Sequence, residues 1–189
     1  MEKEFFIKNM VCRSCVKVIN DVLQKEGLNV VEMEIGKVLI ETENVPHTKK
    51  QLINILRNND FDLVETPEDK LVEQVKIHLI KLVDSFPVCP DLTLSDYLRG
   101  KLHQDYSTMS KIFSFSQQVT IEKYYIKLKV EKVKEMIHSQ EYNFTEMSQL
   151  LGYSNLGHLS AQFKAETGMS LTEYKTLGPH FRNSLNRII

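Results

Sequence analysis

A short motif of leucine or methionine, serine, two variable residues and phenylalanine occurs twice in the second half of the chain. It reads Met109-Ser110-x-x-Phe113 and then Leu159-Ser160-x-x-Phe163, fifty residues later. The repetition extends outwards. Leu94 pairs with Phe144, Ile121 with Leu171 and Tyr124 with Tyr174. Apolar residues recurring at one offset imply two units that bury the same positions. Two copies are too few for a solenoid. The fold must therefore hold two similar helical units in one domain. Each copy reads as an apolar helix, a short turn and a second helix carrying the motif. In the second copy, FTEMSQLLGYSNLGHLSAQF, Gly152 marks the turn and Ser154 the expected cap. This is a helix-turn-helix layout. Between the copies IEKYYIKLKVEKVKEMI predicts one long amphipathic helix, a rigid spacer for the two units.

The first sixty residues have a different grammar. EFFIK (4–8) reads as a strand. Residues 14–25 read as a helix, with Ser14 as cap and Gly27 as stop. LNVVEMEIGKVLIETE gives two strands around Ile35-Gly36-Lys37. Residues 48–58 predict a helix capped by Thr48, with Leu52, Ile55 and Leu56 inward. FDLVE closes with a strand. The order is β-α-β-β-α-β, the split plan of ferredoxin-like folds. The fold class expected is therefore α+β: a ferredoxin-like βαββαβ domain at 1–67, a helix and linker at 68–90, an all-α double helix-turn-helix domain at 91–177, and a tail at 178–189. On the 68–85 helix, Leu71, Val75, Leu79 and Leu82 form one stripe, read as core or as a dimer or hinge surface.

Composition bounds the function. The chain has 189 residues, 42% hydrophobic and 26% charged, which fits ordered domains rather than disorder. No apolar run approaches a membrane span, and MEKEFFIKNM has no basic stretch followed by an apolar core. A cytoplasmic protein with no membrane partner is expected. Three cysteines, Cys12, Cys15 and Cys89, do not make a disulfide framework. Residues 1–89 carry 12 basic and 15 acidic side chains, and 90–189 carry 12 and 10. The second half is only mildly basic, so charge alone does not point to nucleic acid.

Residues 94–175 resemble the DNA-binding domain of AraC-type transcriptional regulators. The matching stretch is MSQLLGYSNLGHLSAQFKAETGMSLTEYK, residues 147–175, with its Gly-Tyr-Ser turn, Leu159-Ser160, Phe163-Lys164, Gly168 and Tyr174. The first copy departs from it: Gln118 stands in the place of Gly168, and Leu102 in that of Gly152. Leu171 stands where the family commonly has proline. Residues 4–66 resemble a heavy-metal-associated domain, the copper-chaperone-like fold. The marker is Met10-Val11-Cys12-Arg13-Ser14-Cys15, between the first strand and first helix. That family usually has glycine before the aromatic opening the last strand; here Asp60 precedes Phe61.

These patterns nominate two sites. Cys12 and Cys15 flank a helix start, where the backbone dipole favours thiolates, and thiolates suit Cu(I). Zn(II) needs further ligands, and no histidine or carboxylate sits beside the pair. Met10 is expected to pack inward, and Cys89 reads as a loop thiol. A dithiol redox pair and a vestigial site remain alternatives. For DNA, Asn155, His158 and Gln162 are placed on one face at i, i+3 and i+7, opposite Leu156, Leu159 and Phe163. Asn and Gln suit adenine edges; His suits a base or phosphate. Thr108 and Lys111 are the counterparts in the first copy. Ser107 and Ser154 are expected as caps that also offer hydroxyls to phosphate.

The function expected is a sequence-specific, non-enzymatic regulator of transcription that binds double-stranded DNA and responds to a soft metal at Cys12 and Cys15. Metal would order the 10–15 loop and change how the first domain packs on 68–90. A metal chaperone or transporter domain is a further partner. The rival readings are a metal-delivery or docking module with a vestigial DNA-binding domain, and a thiol oxidoreductase. Oligomeric state is left open.

Overall fold

The computed structural model describes residues 1–10, 13–85 and 93–177. Cys12, Cys89, the proline-flanked loop and the 178–189 tail lie outside the described residues. The chain divides into two compact units, Met1–Ile77 and His78–Ile189.

The first unit runs β1 (Glu2–Lys8), α1 (Arg13–Lys25), β2 (Asn29–Glu34), β3 (Lys37–Glu41), α2 (Val45–Arg57) and β4 (Asp62–Leu63), followed by the first part of α3 (Pro67–Asp84). The strands form one antiparallel sheet in the order β2-β3-β1-β4. Alternation along β1 sends Phe5 and Ile7 to one face. There they meet Val38 and Ile40 of β3, Ile19 and Leu23 of α1, and Leu52 and Leu56 of α2. Phe6 and Lys8 take the other face, where α3 supplies their partners. Lys70 Nζ lies 4.2 Å from the Phe6 ring centre, and Lys8 Nζ donates to Asp69 at 2.9 Å.

Two local details explain the β2–β3 turn and the start of α2. Gly36 has φ +74°, and a Cβ there would lie 2.4 Å from Ile77 Cδ1, so glycine serves both the turn and the approach of α3. The cap of α2 is Asn44, whose side chain accepts from His47 N at 3.1 Å. Thr48 is not the cap. It is buried within the helix, with its hydroxyl 2.7 Å from that of Thr42. Ser14 likewise lies inside the first turn of α1.

In α3, Val75 and Leu79 are buried and Leu71 and Leu82 half-buried. Burial extends well beyond that stripe, to Val72, Glu73, Lys76, Ile77, Ile80 and Val83. The unit boundary falls within this helix, so its two halves serve different cores and one stripe cannot describe both.

The second unit continues from α3 with α4 (Leu94–Leu102), α5 (Tyr106–Gln117), α6 (Ile121–Ser139), α7 (Phe144–Leu150), α8 (Leu156–Thr167) and α9 (Leu171–Leu177). The sequence repeat is a structural repeat. Met109 and Leu159, Phe113 and Phe163, Ile121 and Leu171, and Tyr124 and Tyr174 are all buried. Phe113 and Tyr124 meet edge-on with ring centres 5.5 Å apart, and Phe163 and Tyr174 do the same at 5.5 Å. Such pairs contribute about 0.5–1.5 kcal/mol beyond their buried area. Each fixes the angle between a motif helix and the helix after it.

Candidate nucleic-acid interface and cysteine loop

The second helix of each copy is set by its N-cap. For α8 the cap is Asn155, whose Oδ1 accepts from His158 N at 2.8 Å. For α5 it is Asp105, whose carboxylate accepts from Thr108 N at 3.2 Å and from the Ser107 hydroxyl. Neither Ser154 nor Ser107 caps its helix, contrary to the sequence expectation. Ser154 precedes the cap, with its Oγ 3.2 Å from His158 Nδ1, and Ser107 lies inside α5. Hydrogen bonding to Ser107 and Thr108 holds the Asp105 carboxyl below its ordinary range.

The solvent face of α5 carries Ser107, Thr108 and Lys111, all exposed. Phe115 joins that face further along and is 84% exposed. At α8 the exposed residues include the cap Asn155 and, within the helix, His158, Ala161, Lys164 and Ala165. Gln162 departs from its expected place. It is half-buried and its Oε1 is sealed from solvent without a hydrogen-bond partner. It stands three residues after buried Leu159 and one before buried Phe163, about 60° round the helix from Leu159, and so flanks the packed face. Gln162 stands in register with half-buried Ile112 of the first copy.

The turns are built alike but from different residues. Gly152 has φ +66° before α8, and His103 has φ +52° before α5. The left-handed residue in the first copy is thus His103, one place beyond Leu102. After α5 and α8 the chain again turns left-handed, at Gln118 (φ +55°) and Gly168 (φ +77°).

An interaction that sequence reasoning missed joins spacer to turn. Lys129 of α6 donates to the carbonyl of Leu151 at 3.3 Å, and its Nζ lies 3.9 Å from the Tyr153 ring centre. The signal was a charge at four-residue spacing between Tyr125 and Val133.

In the first unit, Cys15 lies in the first turn of α1, half-buried against the core. Met10 is buried within that core. Its thioether is packed rather than presented, as the sequence suggested. Among the described residues no group of three or more His, Cys, Asp or Glu side chains is placed to hold an ion. Of the two CxxC thiols, Cys15 is the one among the described residues. A pair of thiols is a donor chemistry suited to a low-coordinate soft ion, whereas a four-coordinate zinc site takes further ligands.

The second unit is thus defined as a pair of helix-turn-helix units sharing one spacer helix. Residues 100–176 match a family described as a helix-turn-helix domain. Among solved structures the chain is similar to the C-terminal domain of AraT, a response regulator from Geobacillus stearothermophilus. That likeness has TM-score 0.50 and 18% identity, over 62% of this chain and 95% of that one. It is also similar to a DNA-binding transcriptional dual regulator from Escherichia coli K-12 (TM-score 0.48, 14% identity, 57% and 90% covered). A third is the C-terminal domain of the two-component response regulator yesN from Fusobacterium nucleatum subsp. nucleatum (TM-score 0.46, 19% identity, 54% and 98% covered). No curated protein matches the chain. Among the described residues no helix is long and apolar enough to cross a membrane.

Proposed function

We propose that this protein is a sequence-specific DNA-binding regulator of transcription. One observation carries the reading. The region matched to a helix-turn-helix domain presents two capped helices, α5 and α8; the first turn of α5 exposes Ser107 and Thr108, with Lys111 in the next turn, and the first turn of α8 exposes His158, beside Ser154 and Asn155. First-turn side chains of a recognition helix are the ones that reach base edges, and backbone N–H groups there suit phosphate. The two helices would enter successive major-groove segments from one side of the duplex, with residues 91–177 acting as an AraC-type domain. With so few basic residues on these helices, the affinity should fall only gently with salt.

The first unit is read as a ferredoxin-like, copper-chaperone-like domain over residues 1–67, supported by its sheet order and by a CxxC sequence whose second cysteine, Cys15, lies in the first turn of α1. Cys12 and Cys15 would hold Cu(I) through their thiolates, soft donors matched to that ion. Zn(II) is the less suited ion.

The test is a selection of duplexes from random DNA by the full chain, without metal and with Cu(I), repeated on Cys12→Ser/Cys15→Ser. Enrichment of a defined site, weakened by His158→Ala, is the expected result. Recovery of no site overturns the regulator reading. Equal metal response in the double serine variant overturns the metal reading and leaves the regulator reading standing.

A further inference from the structure

Lys129 stands in an apolar register of α6 and packs against the turn that launches α8. Its Nζ is 3.9 Å from the ring centre of Tyr153 and 5.2 Å from that of Tyr125, and it donates to Leu151 O at 3.3 Å. Both rings lie within the reach of a cation–π attraction, which strengthens when the cation is desolvated. Tyr153 is buried, and its hydroxyl has no hydrogen-bond partner, so the ring is held by packing and by this cation rather than by its polar end. Next to it stands His158, edge-on with ring centres 5.4 Å apart at 89°. One line of contacts therefore runs from an ammonium on the spacer, through a buried ring, to an exposed imidazole on the second motif helix.

We propose that Lys129 is a positioning residue for DNA recognition: by gripping Tyr153 and the 151–153 turn, it fixes the orientation in which His158 meets the duplex. This rests on the DNA-binding reading above. Burial pushes Lys129 down to about 8, so its charge costs the folded state free energy. A methionine would fill the same space without that cost, which argues that the charge serves the grip. The grip then weakens as the amine loses its proton in mildly alkaline solution. The titratable groups it meets are Tyr125 on α6 and Tyr153 in the turn; beyond them, Tyr97 of α4 acts on Tyr125, and Glu166 of α8, paired with Lys123, acts on Tyr153, against which His158 packs. All three tyrosines are raised above their ordinary value by burial, so they stay neutral while Lys129 titrates.

The experiment measures full-chain binding to a duplex selected by the wild type, and to single-base variants of it, by fluorescence anisotropy. Lys129→Met should weaken binding about tenfold and flatten base preference only where His158→Ala also flattens it. Lys129→Arg, which keeps the charge and stacks on tyrosine, should retain both. The Lys129→Met/His158→Ala double variant should be no weaker than the worse single one, because the two act on one contact. Wild-type preference should fade as pH rises through about 8, while that of Lys129→Arg persists. Wild-type base preference in Lys129→Met, or additive losses in the double variant, overturns the proposal. Should circular dichroism show Lys129→Met unfolded, the two pH profiles decide: matching profiles overturn it and divergent ones support it. A wild type that selects no sequence overturns the DNA-binding reading itself, and this inference with it.

Discussion

Gln118 closes α5 in the same left-handed conformation in which Gly168 closes α8, at φ +55° and +77°. The repeat has kept the turn and changed the residue. An L-residue with a Cβ is strained there, by about 1–2 kcal/mol, whereas glycine is not. Gln118 recovers part of this through its side-chain amide, which donates to Phe115 O at 2.7 Å. Gln118→Gly is therefore expected to stabilise the protein by about 0.5–1 kcal/mol. Gly168→Gln should destabilise it by about 1 kcal/mol. Urea unfolding of both variants checks this, and a loss of stability in Gln118→Gly would show that the amide bond outweighs the strain.

The same device recurs in the first unit, where Asp60 has φ +62° just before Phe61. Aspartate tolerates this conformation better than glutamine does. Asp60→Gly should accordingly gain less than Gln118→Gly, no more than a few tenths of a kcal/mol. Thermal melts of the two variants side by side give the ranking.

These two positions show how far the sequence could be read. Gln118 and Asp60 stand where the resembled families carry glycine, and the backbone conformation persists without it. The repeat offset translated directly into the Phe113–Tyr124 and Phe163–Tyr174 ring pairs, because matched apolar residues at one spacing must fill matched space. The four strands and the turn at Gly36 were legible for the same reason. Capping was not, because aspartate, asparagine and serine cap about equally well and stand within two residues of one another at Asp105-Tyr106-Ser107 and Ser154-Asn155. Gln162 was misplaced because a residue three places after Leu159 sits at the edge of the packed face, not opposite it. Glu73, Lys76, Glu131 and Lys134 were invisible as buried residues, and Lys129 as a half-buried one, since a charged side chain reads as solvated until its partner in space is known.

Cap assignment separates two neighbouring residues. Asn155→Ala removes the acceptor for His158 N and should cost about 1 kcal/mol of stability. Ser154→Ala leaves the cap intact and should cost less than about 0.5 kcal/mol. Denaturant midpoints decide. Equal losses would return the capping role to Ser154.

Lys129 also sets a pH dependence of stability. Its folded value, about 8, lies below that of the unfolded chain, near 10.5. Below pH 8 both states hold the proton and stability does not change on its account. Between about 8 and 10.5 the unfolded chain holds a proton that the folded protein has released, so stability rises with pH. The rise is at most about 3 kcal/mol. Base preference on DNA is expected to fall over the same window, so the two readouts should move in opposite directions. Guanidinium melts from pH 7.5 to 10 on wild type and Lys129→Met test it. Lys129→Met should lack this rise, and a wild type that loses stability across the window would contradict the assignment.

A buried ion pair in the first unit gives the largest expected effect. Glu73 and Lys76, one turn apart on α3, are both buried with Lys76 Nζ 2.7 Å from Glu73 Oε1. Both reach Asn9 at the end of β1. Asn9 N donates to Glu73 Oε2 at 3.3 Å, and Lys76 Nζ donates to Asn9 Oδ1 at 3.3 Å. Removing one partner strands the other charge away from water. Lys76→Met or Glu73→Gln alone should therefore cost about 3 kcal/mol or more. Replacing both with apolar residues of similar volume, Glu73→Leu/Lys76→Met, should recover most of that loss, because desolvation of the pair roughly cancels its attraction. What it cannot recover is the tie to Asn9, which has a left-handed backbone (φ +62°) and carries the chain towards Cys12. The double variant is thus expected to fold at near wild-type stability while amide exchange at the end of β1 quickens. Protection there equal to wild type would show that packing alone, and not the ion pair, holds that strand end on α3.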